Sequence, residues 1–513
     1  MTVRNKRQQC TRHPKWCATT IRRARKVAAI LAVLTICLAA SLLLLSPRHA
    51  EASAARRLVV TLTFDDGFAN QFAASRILDK YDVKGTFYIN SGLVGLPEYM
   101  ALEDLDNLTA RGHEIGGHTV THANLTTLSA AEANRQICQD RQTLLDWGYD
   151  VSSFAYPFAA FKASTERIVR GCGYRTARAV GSLRSPDSCA RCPATERIPP
   201  ADLYATRTPK DIDTSWSLAD LRNTVSRAEA SGGWLTFNFH HVCDSCSPAS
   251  IRPAVFEQFI AWLASRSSTA ARTTVRTVAQ VITGGTKPAV APVPPRPPGA
   301  PGVNALRNAT LETASGALPD CWASASSGST KATYSRTADA HTGSFASKIT
   351  VTSRTDGDAK LVPTFDLGDC SPSVSVNGTY EVSAWYKSNT EVYFILYNRN
   401  AIGQWSYWTQ SPRLPAAKDW TKATWTTPPV PSNASAASFG LTIDSLGTLT
   451  VDDLGFTDAT PAAAPPQRPP TPETTDHAAD ETDANSWLGI AGISIAVIAI
   501  VAALLHNYWT KAR

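Results

Sequence analysis

Over the first half of the chain, apolar residues fall in short strand-length runs separated by amphipathic stretches. Residues 58–62 are rich in β-branched side chains and predict a buried strand. Residues 154–158 predict a short aromatic strand with a proline at its end. Residues 234–239 predict another apolar strand, and 274–282 a last strand running into a helix start. Helical spacing marks 98–110, 130–147, 164–170 and 252–264. Strands alternating with helices predict an α/β domain. Beyond residue 302 the helical period is lost. Residues 380–386 alternate apolar and polar, 392–397 form a second strand pattern, and Asn377-Gly378 supplies a tight turn. Residues 303–458 therefore read as an all-β sandwich of about eight strands. Between the two regions, 284–302 carries Pro-Pro-Arg-Pro-Pro, which favours an extended, semi-rigid spacer.

Charge sharpens the picture at the ends. The net charge of the 513-residue chain is +7, but nine Lys or Arg and no acid lie in the first 26 residues. The remainder holds 41 basic against 43 acidic residues, which excludes the basic stripe of a nucleic-acid binder. The apolar stretch 27–45 follows the basic segment, and Ala50-Glu51-Ala52 and Ala52-Ser53-Ala54 offer small-residue cleavage sites. This predicts a secretory signal peptide, with a retained signal anchor as the alternative. A second apolar stretch, 487–505, is followed by Trp509, Lys511 and Arg513, the pattern of a transmembrane helix with a cytoplasmic C-terminus. The soluble bulk is thus expected outside the cell, attached to the membrane by that helix.

Cysteine usage fits an oxidising compartment. Of eleven cysteines, three (10, 17 and 37) lie in the N-terminal segment, and eight remain: 138, 172, 189, 192, 243, 246, 321 and 370. Cys189-x-x-Cys192 and Cys243-x-x-Cys246 fit either disulfides or a four-thiolate zinc site. Cys321 and Cys370, alone in the second domain, are expected to pair.

Two motifs carry candidate chemistry. Thr63-Phe64-Asp65-Asp66-Gly67 places two carboxylates at a strand end, where neighbouring side chains point different ways. One can hold a metal while the other faces a substrate. His118-Thr119-Val120-Thr121-His122 places two imidazoles four residues apart among glycines. Two histidines and a carboxylate suit zinc or a first-row neighbour and leave a coordination position open.

In this order and spacing, with Ala155-Tyr156-Pro157-Phe158 and a strand ending at His240-His241, the segment from about 58 to 282 resembles the polysaccharide deacetylase (NodB-homology) domain of carbohydrate esterase family 4. The resemblance implies a distorted (β/α) barrel short of eight strands, with its site at the C-terminal ends of the strands. It makes Asp65 the general base and Asp66, His118 and His122 the metal ligands. It makes the Phe158 amide an oxyanion donor and His240, or else its neighbour His241, the general acid. The implied cofactor is zinc, cobalt or another divalent ion, and the implied substrate an acetylated polysaccharide. Two positions depart from the family pattern. Ala155 stands where many members have an arginine that orients the base, and Ala159 stands where glycine is frequent. The fourth family motif is not evident, although Arg207, Asp211 and Trp216 lie in its region.

The second domain resembles jelly-roll carbohydrate-binding modules, on Pro319-Asp320-Cys321-Trp322, His341-Thr342-Gly343-Ser344, Asp419-Trp420-Thr421 and Val451-Asp452-Asp453. Trp405, Tyr407 and Trp408 are candidate sugar-stacking rings, with a core role as the alternative for the two tryptophans. Trp385 and Trp420 are expected in the core, and Asp452 and Asp453 are candidate ligands of a structural calcium.

The predicted layout is a signal segment at 1–54, a deacetylase domain at 55–283, a linker at 284–302 and a sandwich at 303–458. A disordered acidic stalk at 459–485, a transmembrane helix at 486–506 and a tail at 507–513 complete it. The expected activity is metal-dependent release of acetate from N-acetyl groups of a cell-wall or extracellular glycan. An O-acetyl esterase, or a glycan-binding protein with a silent barrel, is the competing expectation.

Overall fold

The computed structural model describes residues 57–267 and 273–460. The predicted signal segment, most of the stalk, the transmembrane helix and the tail lie outside the described residues. Among the described residues no helix is long and apolar enough to cross a membrane.

The strands of the first domain are β1 (Leu58–Phe64), β2 (Thr86–Ile89), β3 (Glu114–Gly117), β4 (Ser153–Ala155), β5 (Thr176–Ser182), β6 (Thr206–Thr208), β7 (Gly233–Phe239), β8 (His241–Val242), β9 (Ser250–Ile251) and β10 (Thr273–Val275). Eight of them form one curled parallel sheet, with β8 and β9 pairing separately. The count is thus eight rather than fewer. β1 lies at its centre. Along one edge β1 pairs in full with β7, Leu58 opposite Gly233 and Phe64 opposite Phe239. It also pairs with β10 at its start and with β2 at its end. The sheet then continues β2-β3-β4-β5-β6.

Helices cover the convex face, including Ala69–Lys80, Leu102–Ala110, Leu218–Ser231 and Pro253–Ser267. The segment expected as one helix at 130–147 is Ala130–Asn134 and Asp140–Asp146 joined by a π-helical turn, Arg135–Gln139. Val60, Leu62 and Phe64 of β1 alternate with Thr61 and Thr63, and all are buried. The apolar set packs outward among neighbouring strands and helices; the ring of Phe64 lies 4.6 Å from Phe87 on β2 and 6.0 Å from Phe256 on the helix Pro253–Ser267. The polar set lines the concave face, where Thr63 Oγ1 donates to the Phe237 carbonyl at 2.8 Å and Trp234 Nε1 donates to Thr61 at 2.8 Å. A strand buried on both faces therefore still separates helix-side apolar residues from a polar barrel interior.

The second domain has ten strands rather than about eight. They are β11 (Trp322–Ser327), β12 (Thr330–Thr337), β13 (Ala346–Arg354), β14 (Asp358–Pro363), β15 (Tyr380–Ser388), β16 (Tyr393–Asn400), β17 (Trp405–Gln410), β18 (Ala417–Thr426), β19 (Ala434–Ile443) and β20 (Gly447–Asp458). They form two five-stranded antiparallel sheets, β11-β14-β19-β16-β17 and β12-β13-β20-β15-β18. Between the sheets Phe439 of β19 meets Phe456 of β20 at 5.8 Å.

One expectation for this domain is corrected. Trp385 and Trp420 are not core residues. Trp385 alternates with the buried Ala384 and Tyr386 on β15 and so points outward, with its ring stacked on His341 at 3.8 Å. Asp452 is buried, and Asp453 beside it on β20 faces His341 and Thr342. Their carboxylates accept from the His341 and Thr342 amides, from His341 Nδ1 and from the Thr342 hydroxyl. Of the candidate stacking rings, Tyr407 is exposed, while Trp405 packs on Phe365 at 5.0 Å and Trp408 packs against the core.

Disulfides link Cys138–Cys172, Cys189–Cys192, Cys243–Cys246 and Cys321–Cys370. Each Cys-x-x-Cys closes on itself, so the thiols are not available as zinc ligands. The Pro-rich segment runs without helix or strand and is tied to the first domain. Buried Arg141 donates to the carbonyls of Lys287 and Pro288, and the Val293 amide donates to Asn134. The described residues, 57–267 and 273–460, belong to one compact unit.

Candidate active site

β1 and β7 end in register, so the residues that follow are neighbours. The Asp65 amide donates to the Phe239 carbonyl at 2.9 Å, which sets Asp65 beside His240. Asp65 continues the concave face of Thr61 and Thr63 and is 3 % exposed. Asp66 turns the other way with a left-handed backbone (φ 76°).

Asp66 meets the histidine pair. His118 Nε2 lies 3.2 Å from Asp66 Oδ1 and His122 Nε2 lies 3.1 Å from it. The loop between the histidines is held in an uncommon shape, with φ of 71° at Thr119 and 56° at His122. Gln136 fixes it: its carbonyl accepts from the Val120 amide, and its side chain accepts from the Thr121 amide and donates to the Thr121 hydroxyl. Buried Asp140 accepts from the His118 amide at 3.0 Å, and burial pushes its carboxyl up to about 7.

The donor set fits a divalent cation. His118 Nδ1 donates to the Ala155 carbonyl at 2.8 Å. That bond fixes the tautomer and leaves Nε2 as a bare lone pair. The lone pair faces Asp66 Oδ1, a buried oxygen without a hydrogen-bond partner. The three ligand atoms lie within 4.8 Å of one another, and among the described residues no other His, Cys or acidic group of three is so placed.

Asp65 is held by residues that the motifs did not reveal. Arg178 on β5, 2 % exposed, donates through Nη2 to both carboxylate oxygens. Asn238 donates to Asp65 Oδ2 at 3.2 Å and to Asp211 at 2.6 Å. Burial raises the pKa of Asp65, but Arg178, then His118 and His240, bring it below the ordinary carboxylate value. Arg178 stands directly opposite Ala155 in the β4–β5 ladder. The small residue at 155 thus sits beside an arginine from the next strand, and the guanidinium reaches Asp65 from there. A charged residue in the otherwise small and apolar Thr176-Ala177-Arg178-Ala179-Val180 was the available signal.

Of the fourth-motif candidates, Asp211 backs Asn238, and the indole of Trp216 donates to the Asp211 carbonyl at 3.1 Å. Arg207 instead pairs with Glu196 at 2.6 Å. His240 Nδ1 is buried without a hydrogen-bond partner, whereas His241 is stacked on Phe68 at 3.9 Å and bonded to Asn70. Phe158, at φ 57°, is 66 % exposed, with its ring 4.5 Å from that of His122. The arrangement juxtaposes a buried carboxylate, a three-ligand cluster and an unpartnered imidazole at one barrel mouth, where this fold class puts chemistry.

Residues 52–177 match the polysaccharide deacetylase family. The deacetylase match takes in Asp65, Asp66, His118, His122 and Phe158 and stops one residue before Arg178. A chitin deacetylase from Pestalotiopsis sp. is 33% identical over 121 residues, 23% of this chain and 40% of that protein. Peptidoglycan-N-acetylmuramic acid deacetylase PdaC of Bacillus subtilis is 37% identical over 91 residues, 17% of this chain and 18% of that protein. Among solved structures, a family 4 acetyl xylan esterase from Clostridium thermocellum aligns with 44% of this chain and 89% of its own at 20% identity, with a TM-score of 0.30. The chain spans less than half the length of the curated relatives it matches.

Proposed function

We propose that this protein is a metal-dependent polysaccharide deacetylase that hydrolyses N-acetyl groups of a peptidoglycan- or chitin-like glycan to acetate and free amine. The observation that carries the reading is the convergence of Asp66, His118 and His122 beside a second, separately held carboxylate, Asp65. The donor chemistry favours zinc, with cobalt as a substitute. When bound, the divalent ion supplies Lewis-acid activation of water and of the acetyl carbonyl. Asp65, kept ionised by Arg178 and oriented by Asn238, accepts the proton of the attacking water. The Phe158 amide donates to the oxygen on which negative charge develops. His240 gives a proton to the departing amine. The β-sandwich serves to hold glycan, and the protein acts outside the cell, anchored to the membrane by its C-terminal segment.

The test is acetate release by purified protein from peptidoglycan, chitin oligomers and acetylxylan, with added zinc or cobalt and with chelator. Chelator-sensitive release from an N-acetylated polymer, lost in Asp65→Asn and His118→Ala, is the expected result. Release from acetylxylan alone overturns the N-acetyl assignment. No release by folded, metal-loaded protein overturns the enzymatic reading.

A further inference from the structure

The loop that carries His118 and His122 is gripped from outside the barrel. Val120, midway between the two histidines, is fully buried. On one side lies Gly92, whose amide donates to the Val120 carbonyl at 2.9 Å. On the other side lies Gly403, from the β16–β17 turn of the sandwich. A Cβ at Gly92 would stand 2.7 Å from Val120 Cγ1, and one at Gly403 would stand 2.6 Å from the same atom. Both glycines are therefore required by close approach, and Gly403 also by its φ of 93°.

The turn is held on both of its flanks. Gln404 Nε2 donates to the Val94 carbonyl at 2.9 Å, and Gln139 Nε2 donates to the Ala401 carbonyl at 3.0 Å. It is stiff in itself, because Asn400 Oδ1 accepts from the amides of Ile402 and Gln404. A second contact lies next to it. The Leu367 amide of the sandwich donates to Glu132 at 2.8 Å, one helical turn before the Gln136 that holds the histidine loop.

We propose that the β-sandwich is a working part of the metal centre: the Asn400–Gln404 turn, through Gly403, clamps Val120 and so keeps His118 and His122 in ligating position. The inference rests on Asp66, His118 and His122 being metal ligands. The residues in the turn touch neither metal nor substrate, so they are positioning residues. The physical case is the strained loop. Left-handed residues at 119 and 122 persist only when their surroundings over-determine them, and part of those surroundings comes from the second domain. Carbohydrate binding by the sandwich would then be a separate property, on other residues.

The experiment measures zinc and cobalt affinity by chelator competition, together with the visible absorption spectrum of bound cobalt, on the full soluble protein. Melting temperature is followed in parallel. Gly403→Ala forces its methyl into Val120 and is expected to raise the metal Kd by about 10- to 100-fold, the range for residues that orient metal ligands. Adding Val120→Ala removes the nearest atom the methyl meets, leaving Leu367 Cδ2 at 3.0 Å, and is expected to recover part of that loss, although the strain of the turn itself persists. Gln404→Ala, which leaves the turn's backbone unstrained, is expected to weaken metal binding in the same direction and to alter the cobalt spectrum. Unchanged Kd and spectrum in Gly403→Ala and Gln404→Ala overturn the proposal, as does a Gly403→Ala defect that Val120→Ala does not relieve. Wild-type protein that binds no metal overturns the ligand assignment itself, a result distinguishable from the others because it appears before any substitution.

Discussion

Arg178 and Asp65 form a buried ion pair across the concave face, and the guanidinium passes 5.3 Å from the ring centre of Tyr88 on the way. Removing one partner of such a pair leaves an uncompensated buried charge, at a cost of about 3–5 kcal/mol. Arg178→Met is expected to lower the melting temperature and to lower kcat by about 10²-fold through a misplaced base. Arg178 helps hold the Asp65 carboxyl low. Its loss should therefore raise the pKa of Asp65 and move the acidic limb of the pH–rate profile to higher pH. A profile that stays in place in Arg178→Met would falsify the assignment of Asp65 as the base.

The cross-strand pairing of Ala155 with Arg178 allows an exchange. Ala155→Arg in an Arg178→Ala background returns a guanidinium to the adjacent strand and is expected to recover part of the lost kcat. Ala155→Arg alone puts a second cation into a space already filled, and should destabilise the fold by about 1–3 kcal/mol through overpacking. Thermal melts and steady-state kinetics on the three variants check the exchange.

Removal of the proposed metal ligands should be read directly in bound metal. Asp66→Asn and His118→Ala are expected to abolish stoichiometric zinc in the purified protein, as measured by elemental analysis. His118→Ala also frees the Ala155 carbonyl that His118 Nδ1 now engages. Retention of one zinc per chain in both variants would show that the ion sits elsewhere.

Stability should depend on pH through His113, far from any ligand. Its Nδ1 accepts from the Gly85 amide at 3.0 Å, and its Nε2 donates to Asp79 at 3.1 Å, so the folded ring is neutral. Burial lowers its pKa to about 4, against the opposing pull of Asp79. The unfolded chain binds a proton here below about 6.5 while the folded one resists until about 4. Stability from this group is therefore present above 6.5 and lost as pH falls through that window, on the order of 3 kcal/mol in total. The difference in unfolding free energy between wild type and His113→Gln should shrink by that order from pH 7 to pH 4.

Much of the site was legible because its chemistry is local in sequence. Asp65-Asp66 and His118-x-x-x-His122 are short motifs whose spacing alone suggests a ligand set, and the strands expected at 58–62 and 234–239 appear as Leu58–Phe64 and Gly233–Phe239. Arg178, Asn238 and Asp140 were not legible. Each acts through partners distant in sequence, and β5, with few large apolar residues, has no strong period to mark it. Trp385 was misjudged because alternation gives a face but not which face is inside. The contacts of the linker were not legible, because composition predicts stiffness and says nothing of Arg141 beside it.

β1 is the first strand of its domain, yet one whole edge and the start of the other are completed by β7 and β10, strands from the domain's far end. Such long loop closures must be made before the contacts reward them, which slows folding. The central strand cannot be finished until residue 275 is free to join. Until then Asp65 has no Phe239 carbonyl to anchor it and no His240 at its side. The candidate active site is thus among the last parts of the domain to take shape, and a chain stalled short of β10 leaves an apolar strand with an open edge, the surface from which aggregation starts.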